Sequence, residues 1–287
     1  MVNLDLLVAC RSRARRCRAA SLALAVTLCV STAWADTIRF GGTGSAIGTV
    51  TRLAQAYQKL DPSFQLEVVP NLGSSGGVKA VASGAIQLGA TSRTLRPEET
   101  TAGLRAIEYG RTAFVLATAK EGIKGLTTRE IADLYAGRQA RWADGQLVRV
   151  VLRPASDADA ALLGSFSSDV KAAQEAAQAR EGMVVGMTDQ ETVDAIERLP
   201  GGLGTATMAL LLSEQRRAKA LEIDGTAPTL ANVASGRYPY TKTMYLVMRG
   251  DAPASLRRFI EFVGSPFGHR ILGETGHVVG QSPVAAR

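Results

Sequence analysis

The chain is poor in the residues that carry most covalent and metal chemistry. Its 287 residues include three cysteines and two histidines. Cys10, Cys17 and Cys29 all fall in an N-terminal segment with a basic start (Arg11, Arg13, Arg15, Arg16, Arg18), an apolar stretch over Ala19–Ala33 and a small-x-small ending, Ala33-Trp34-Ala35. That pattern predicts a secretory signal peptide over 1–35, cleaved before Asp36. Arg15-Arg16 lacks the rest of a twin-arginine signal, and Leu28 stands where a lipoprotein signal needs a small residue before its cysteine. A soluble periplasmic protein is expected, with no cysteine after cleavage, which excludes disulfides and thiol chemistry. The histidines, His269 and His277, are isolated near the C-terminus and read as surface or helix-end residues. They offer no metal cluster, and no cofactor is expected. Aromatics make up 5 % of the chain, too few for a sugar-stacking platform. No later run is long and apolar enough to cross a bilayer. The formal charge of +7 is largely the signal segment's: without it 28 basic and 25 acidic residues remain, a net +3. With no basic stripe interleaved with aromatics, no nucleic-acid partner is expected.

What is present is a set of turns rich in glycine, serine and threonine. The most informative is Asn71–Lys79, NLGSSGGVK, which follows the apolar run Leu66–Pro70 and leads into a helical pattern. A strand feeding a glycine-rich turn at a helix N-terminus points unpaired N–H groups at one spot, and the helix dipole adds to their pull on an anion. Ser74 and Ser75 add hydroxyl donors. Taken alone, the stretch is equally a flexible turn, since glycine and serine dominate turns generally.

Two similar turns accompany it. Thr37–Phe40 reads as a strand, Gly41–Ser45 as a turn, and Ile47, Val50, Leu53, Ala54, Tyr57 and Leu60 recur at helical spacing. Ile86–Ala90 reads as a strand followed by Thr91-Ser92-Arg93-Thr94. Strands are also expected at Ala113–Ala117, Val148–Leu152, Leu203–Thr207, Leu221–Ile223 and Thr243–Met248. Helices are expected over Thr127–Tyr135, Ala160–Phe166, Val170–Arg180, from Thr188 to before Pro200, over Met208–Arg217, Ala254–Val263 and Phe267–Leu272. Thr127 with Glu130 and Thr188 with Glu191 are capping pairs. Alternating strands and helices predict an α/β fold with mixed, mostly parallel sheets, whose ligand sits beyond the carboxyl ends of the strands.

GSSGGVK (Gly73–Lys79) resembles the signature turn of the periplasmic phosphate-binding proteins of ABC importers. The resemblance extends to Gly41–Lys59, Leu88–Ser92, Thr127–Trp142 and Pro200–Thr205, and so over most of the chain after residue 35. It implies a two-lobed type II periplasmic-binding-protein fold joined by two crossing hinge strands. Lobe one is expected over 36–112 plus 244–287, and lobe two over 113–243. It also implies a monomer that delivers an anionic ligand, phosphate or a related oxyanion, to an ABC permease in the inner membrane.

Residue by residue, the resemblance places Gly44 and Ser45 at the first anion-binding turn and Ser74, with Ser75 and Gly76, at the second. Thr91, Ser92 and Arg93 fall at the third, and Arg153 matches the arginine that pairs with the anion. A guanidinium presents a planar fork suited to two oxyanion oxygens. Two positions depart from the pattern. Ser92 stands where the family often has an aspartate that accepts the proton of hydrogen phosphate. Ser156-Asp157-Ala158-Asp159 replaces a Gly-Ser-Gly-Thr turn, bringing two carboxylates to an anion site. Three accounts stand open. Asp157 or Asp159 replaces the missing acceptor, with Arg93 and Arg153 balancing the acids; or one of them, Asp159 first, caps the helix beginning near Ala160; or the ligand is a different polar or zwitterionic solute. A periplasmic sensor module is a further alternative. A hydrolase is the weakest, because Gly73-Ser74-Ser75-Gly76 misses the spacing of a nucleophile elbow and no histidine stands near it.

Overall fold

The computed structural model describes residues 36–280. The expected signal peptide over 1–35 and the last residues of the expected first lobe, 281–287, lie outside the described residues. No described helix is long and apolar enough to cross a membrane.

The chain opens with β1 (Asp36–Gly42), α1 (Gly44–Gln58), β2 (Phe64–Val68), α2 (Gly73–Ala82), β3 (Leu88–Thr91) and α3 (Pro97–Thr101). In β1, Ile38 and Phe40 are buried while Thr37 and Arg39 face out, the two-residue period of a strand with one covered side. The strands β2, β1 and β3 lie side by side and parallel. Helix α1 packs with the C-terminal helices α10 (Ala254–Val263) and α11 (Pro266–Glu274) over a core that includes Phe40, Leu53, Tyr57, Phe64 and Phe259. The valines of α2, Val78 and Val81, pack with Ile86, Leu104 and Val247 in a separate cluster.

Two strands join this core to a second one. β4 (Leu104–Thr118) runs for 15 residues, and β11 (Thr241–Arg249) pairs with it antiparallel from Thr241–Ala113 to Arg249–Leu104. Over Phe114–Ala117, β4 pairs instead with β8 (Gly202–Thr207). The second core holds Phe114, Tyr135, Trp142, Leu152, Ile196 and Tyr238 among others, and the first holds Tyr109 and Met244. Sequence reading located only Ala113–Ala117 of the long strand. That part is buried on both faces, whereas Leu104–Arg111 carries the charges of Arg105, Glu108 and Arg111 and is partly exposed.

The second core repeats the arrangement of the first. It comprises β5 (Gly125–Leu126), α4 (Thr128–Ala136), β6 (Arg149–Leu152), α5 (Ala158–Gly164), α6 (Ser168–Gln178), β7 (Val184–Val185), α7 (Asp189–Arg198), β8 and α8 (Met208–Ser213). β9 (Lys219–Ala220), β10 (Glu222–Ile223) and α9 (Leu230–Ala234) precede β11, and β12 (His277–Val278) pairs with β4 after α11. β7, β6 and β8 are parallel. Each lobe is thus a parallel trio, and the antiparallel β11 and β4 stand between them. The expected mixed α/β architecture is present. Its antiparallel members are the connecting strands, because a chain that crosses from one lobe and returns must run in both directions.

Thr127 and Glu130 form the reciprocal pair expected; Thr188 accepts from the Glu191 N–H, but the Glu191 carboxylate accepts the Met187 N–H at 2.9 Å in place of the Thr188 N–H. Two local expectations are corrected. The glycine-rich stretch is not a free turn, because α2 begins at Gly73 and Ser74, Ser75 and Gly76 form its first turn. Asn71 and Gly73, both at positive φ, make the bend that frees that turn. His277 is not a surface residue; it is buried against Tyr109, with ring centroids 5.3 Å apart. Its apolar surroundings lower its pKa to about 4.

Candidate functional site

Strand ends and helix starts from both lobes meet around one cavity of about 630 Å³. From the first lobe come the ends of β1 and β2, the N-termini of α1 and α2, and the segment after β3. From the second come the segments after β6 and β7, with the N-termini of α5 and α7. Parallel strands carry their following helices to one edge, so unpaired helix N–H groups collect there.

Of the residues singled out in the sequence, Gly44, Ser74, Ser75, Gly76, Ser92, Arg93, Arg153, Ser156, Asp157 and Asp159 line this cavity. Ser45 and Thr91 are buried behind it. Ser74 and Ser92 are tied together: the Ser92 N–H donates to Ser74 Oγ at 3.2 Å, and the two hydroxyls lie 3.3 Å apart. Arg93 reaches the cavity wall, but its guanidinium is committed elsewhere. It makes a two-pronged contact with Glu99 at 2.7 and 2.8 Å, which holds the Glu99 carboxyl down at about 2. Arg93 therefore does not balance the acids at 157 and 159.

Arg153 is the central cation. It is 7 % exposed and follows β6 directly. One terminal nitrogen donates to the Gly186 carbonyl at 2.9 Å and to Thr192 Oγ1 at 3.2 Å. The other donates to Asp157 Oδ2 at 2.8 Å and lies 3.5 Å from Asp189 Oδ1. Its Nε is buried without a hydrogen-bond partner.

The two acids have separate roles. Asp157, not Asp159, caps α5: its Oδ1 accepts the Asp159 N–H at 2.8 Å. Asp159 turns inward and meets Lys242 Nζ at 2.5 Å, with both side chains buried. Burial pushes the Asp159 carboxyl up, with the negative charges of Asp189 and Asp157 adding to it and Lys242 opposing. Burial alone would lower the Lys242 ammonium, but Asp159 and Asp189 outweigh it and the net direction is up. Lys242 is therefore a fixed positive charge.

Residues 30–266 match the PBP superfamily domain. The chain belongs to that family. As a PBP superfamily member it is similar to the phosphate-binding protein PstS of Bacillus subtilis, at 22 % identity over 79 % of this chain and 75 % of that protein. Among solved structures it resembles a phosphate ABC transporter substrate-binding protein from Clostridium perfringens that holds phosphate. The TM-score is 0.69 and the identity 21 %, covering 86 % of this chain and all of that one. It also resembles the periplasmic molybdate-binding protein of Azotobacter vinelandii, with a TM-score of 0.62 and 16 % identity over 85 % of this chain and all of that one. These neighbours share the two-lobed fold.

Sequence reasoning about this PBP superfamily member missed Asp189, Gln190, Glu214 and Lys242, which also line the cavity. Asp189 reads in sequence as an ordinary acid in the first turn of a capped helix. Lys242 sits at the start of a strand, where a lysine signals nothing unusual. Asp189 becomes a site residue because it reaches the first lobe, and Lys242 because β11 carries it to the start of α5.

Proposed function

We propose that this protein captures phosphate, or a closely related tetrahedral oxyanion, between its lobes and presents it to the permease of an ABC importer. The observation that carries this reading is the meeting of Arg153 with the N-terminal turns of α1 and α2 at one cavity. Backbone N–H groups, the hydroxyls of Ser74, Ser75 and Ser92 and a guanidinium are the donors a compact anion needs, and none of them must rearrange covalently. The likeness to PstS, named as a phosphate-binding protein, supports the same ligand class. On this reading Gly44, Ser45, Ser74, Ser75, Gly76, Ser92, Arg153 and Ser156 supply donors from the two sides. Asp157 faces Arg153 and is the candidate acceptor for a ligand proton. Thr91 supports the third turn from behind by accepting the Arg93 N–H at 3.3 Å.

The lobes divide near residues 112–113 and 243–244, and closure about those strands encloses the ligand. The protein works as a monomer outside the cytoplasm, in the periplasm. Binding requires no chemistry on the ligand: desolvated, hydrogen-bonded capture gives affinity, and the closed shape is what a permease recognises.

Titration calorimetry of the protein without residues 1–35 tests the proposal, with phosphate, sulfate and molybdate as titrants and amino acids as controls. Saturable one-to-one binding of phosphate is expected. Binding of an amino acid with no response to any oxyanion would overturn it in favour of a zwitterionic ligand, the reading that the surplus of carboxylates around Arg153 and Lys242 favours.

A further inference from the structure

A negative charge already occupies part of the place an anion would take. Asp189, the first residue of α7 in the second lobe, reaches across to the first lobe. Its Oδ2 accepts the Ser45 N–H at 2.8 Å, the Ser45 hydroxyl at 3.1 Å and the Thr43 hydroxyl at 3.4 Å. Its Oδ1 lies 3.5 Å from the Arg153 guanidinium. These are the donors that the first turn and the central arginine would otherwise offer a bound oxyanion. The Asp189 side chain is 10 % exposed. Burial opposes its charge, but Lys242, Arg153 and the two Ser45 donors prevail and hold its pKa below the ordinary value.

The surrounding contacts are built to let this carboxylate in. A β-carbon on Gly44 would stand 2.8 Å from Asp189 Oδ2 and closer still to Gln190 Oε1. One turn later, a β-carbon on Gly48 would stand 2.9 Å from the Cγ of Glu214 in the second lobe. A β-carbon at either position would push these side chains away from the first lobe. Gln190 completes the contact, donating to the Gly44 carbonyl at 3.0 Å and to Glu214 Oε1 at 2.8 Å.

We infer that Asp189 is a tethered competitor that sets the specificity of the site: its carboxylate holds the first-turn seat of α1 until an anion displaces it. The ligand assignment rests on the phosphate reading above; the occupied seat does not. Arg153 and Lys242 face Asp157, Asp159 and Asp189, and Glu214 lines the same cavity, so carboxylates outnumber these two cations and withdrawal of Asp189 lessens that excess. An anion that bonds only as a carboxylate does gains nothing by displacing one that is already tethered in place. A tetrahedral oxyanion has further oxygens for the N-terminal turn of α2 and the hydroxyl of Ser74, so it alone recovers more than it displaces. Asp189 thereby excludes small carboxylates, admits oxyanions at reduced affinity and draws the empty lobes together.

The test uses the protein without residues 1–35 and its Asp189→Ala and Asp189→Asn variants. Small-angle scattering in anion-free buffer, thermal shift with sodium acetate and calorimetry with inorganic phosphate are the readouts. With the competitor removed, phosphate affinity is expected to rise on the order of tenfold or more in both variants. Acetate is expected to stabilise Asp189→Ala and leave the wild type unmoved, and the ligand-free variants are expected to scatter as more open particles. Unchanged scattering together with no acetate response in a folded variant overturns the inference. So does weaker phosphate binding by both variants, which would make Asp189 a ligand contact. If no form of the protein binds phosphate, the phosphate reading falls, and the tethered carboxylate is judged on scattering and acetate alone.

Discussion

Lys242 and Asp159 form a buried ion pair that ties the start of the connecting strand β11 to the start of α5. The ammonium at the start of β11 meets the carboxylate near the start of α5 at 2.5 Å. Two charges taken out of water stabilise the protein only while each has the other, so the pair acts as a conditional fastener.

Removing one partner leaves the other buried and uncompensated. Lys242→Met is therefore expected to destabilise the fold by about 3–5 kcal/mol in urea unfolding. Adding Asp159→Leu to that variant is expected to recover part of the loss, because the carboxylate in direct contact with Lys242 is then gone while Asp189 keeps Arg153. Equal stability of Lys242→Met and wild type would show that water already reaches the pair.

Arg153 is expected to dominate affinity. Arg153→Ala should weaken phosphate binding by about 2 kcal/mol or more, roughly 30-fold, for the loss of a charge-assisted contact. Arg153→Lys keeps the charge but not the planar fork, and should fall between. A calorimetric affinity unmoved by Arg153→Ala would remove this residue from the ligand's contacts.

Asp157→Ser separates two roles of one side chain. Serine still caps α5, so the helix start is retained and the stability change reports the lost pair with Arg153. The carboxylate facing Arg153 is lost, and with it an acceptor for a protonated ligand. Preference should shift from phosphate towards sulfate, which has no proton to give. A competition titration with the same phosphate-to-sulfate ratio as the wild type would exclude Asp157 as proton acceptor.

His277 should impose an acid limit on stability. Its imidazole titrates at about 4 when folded, against 6.5 for an ordinary histidine, because burial disfavours the charged ring. The unfolded chain therefore takes up the proton first as pH falls. The stability contributed by the neutral ring is complete above the unfolded value and lost on descent towards the folded one. The total is about 3 kcal/mol by linkage. His277→Gln should lose less stability than wild type between about pH 7 and about pH 4. Urea midpoints measured across that range give the difference directly, and parallel curves would sink the assignment.

Much of the architecture is written locally. The alternation of Ile38 and Phe40, the threonine caps at 127 and 188 and the helical spacing from Ile47 to Tyr57 all describe short stretches whose burial follows from their own periodicity. Ser74 was legible because a helix start after a strand is itself a local signal, whereas Gly44 and Arg153 were marked as site residues by the resemblance to the phosphate-binding family. The tertiary structure alone decided what occupies the donors. Asp189 lies 144 residues from Ser45, and Lys242 lies 83 residues from Asp159. The sequence supplies the charges, but the first contact depends on the approach of two lobes and the second on the return of β11 to the start of α5. Coulomb energy and desolvation act over a few ångströms, and only the folded chain sets those distances.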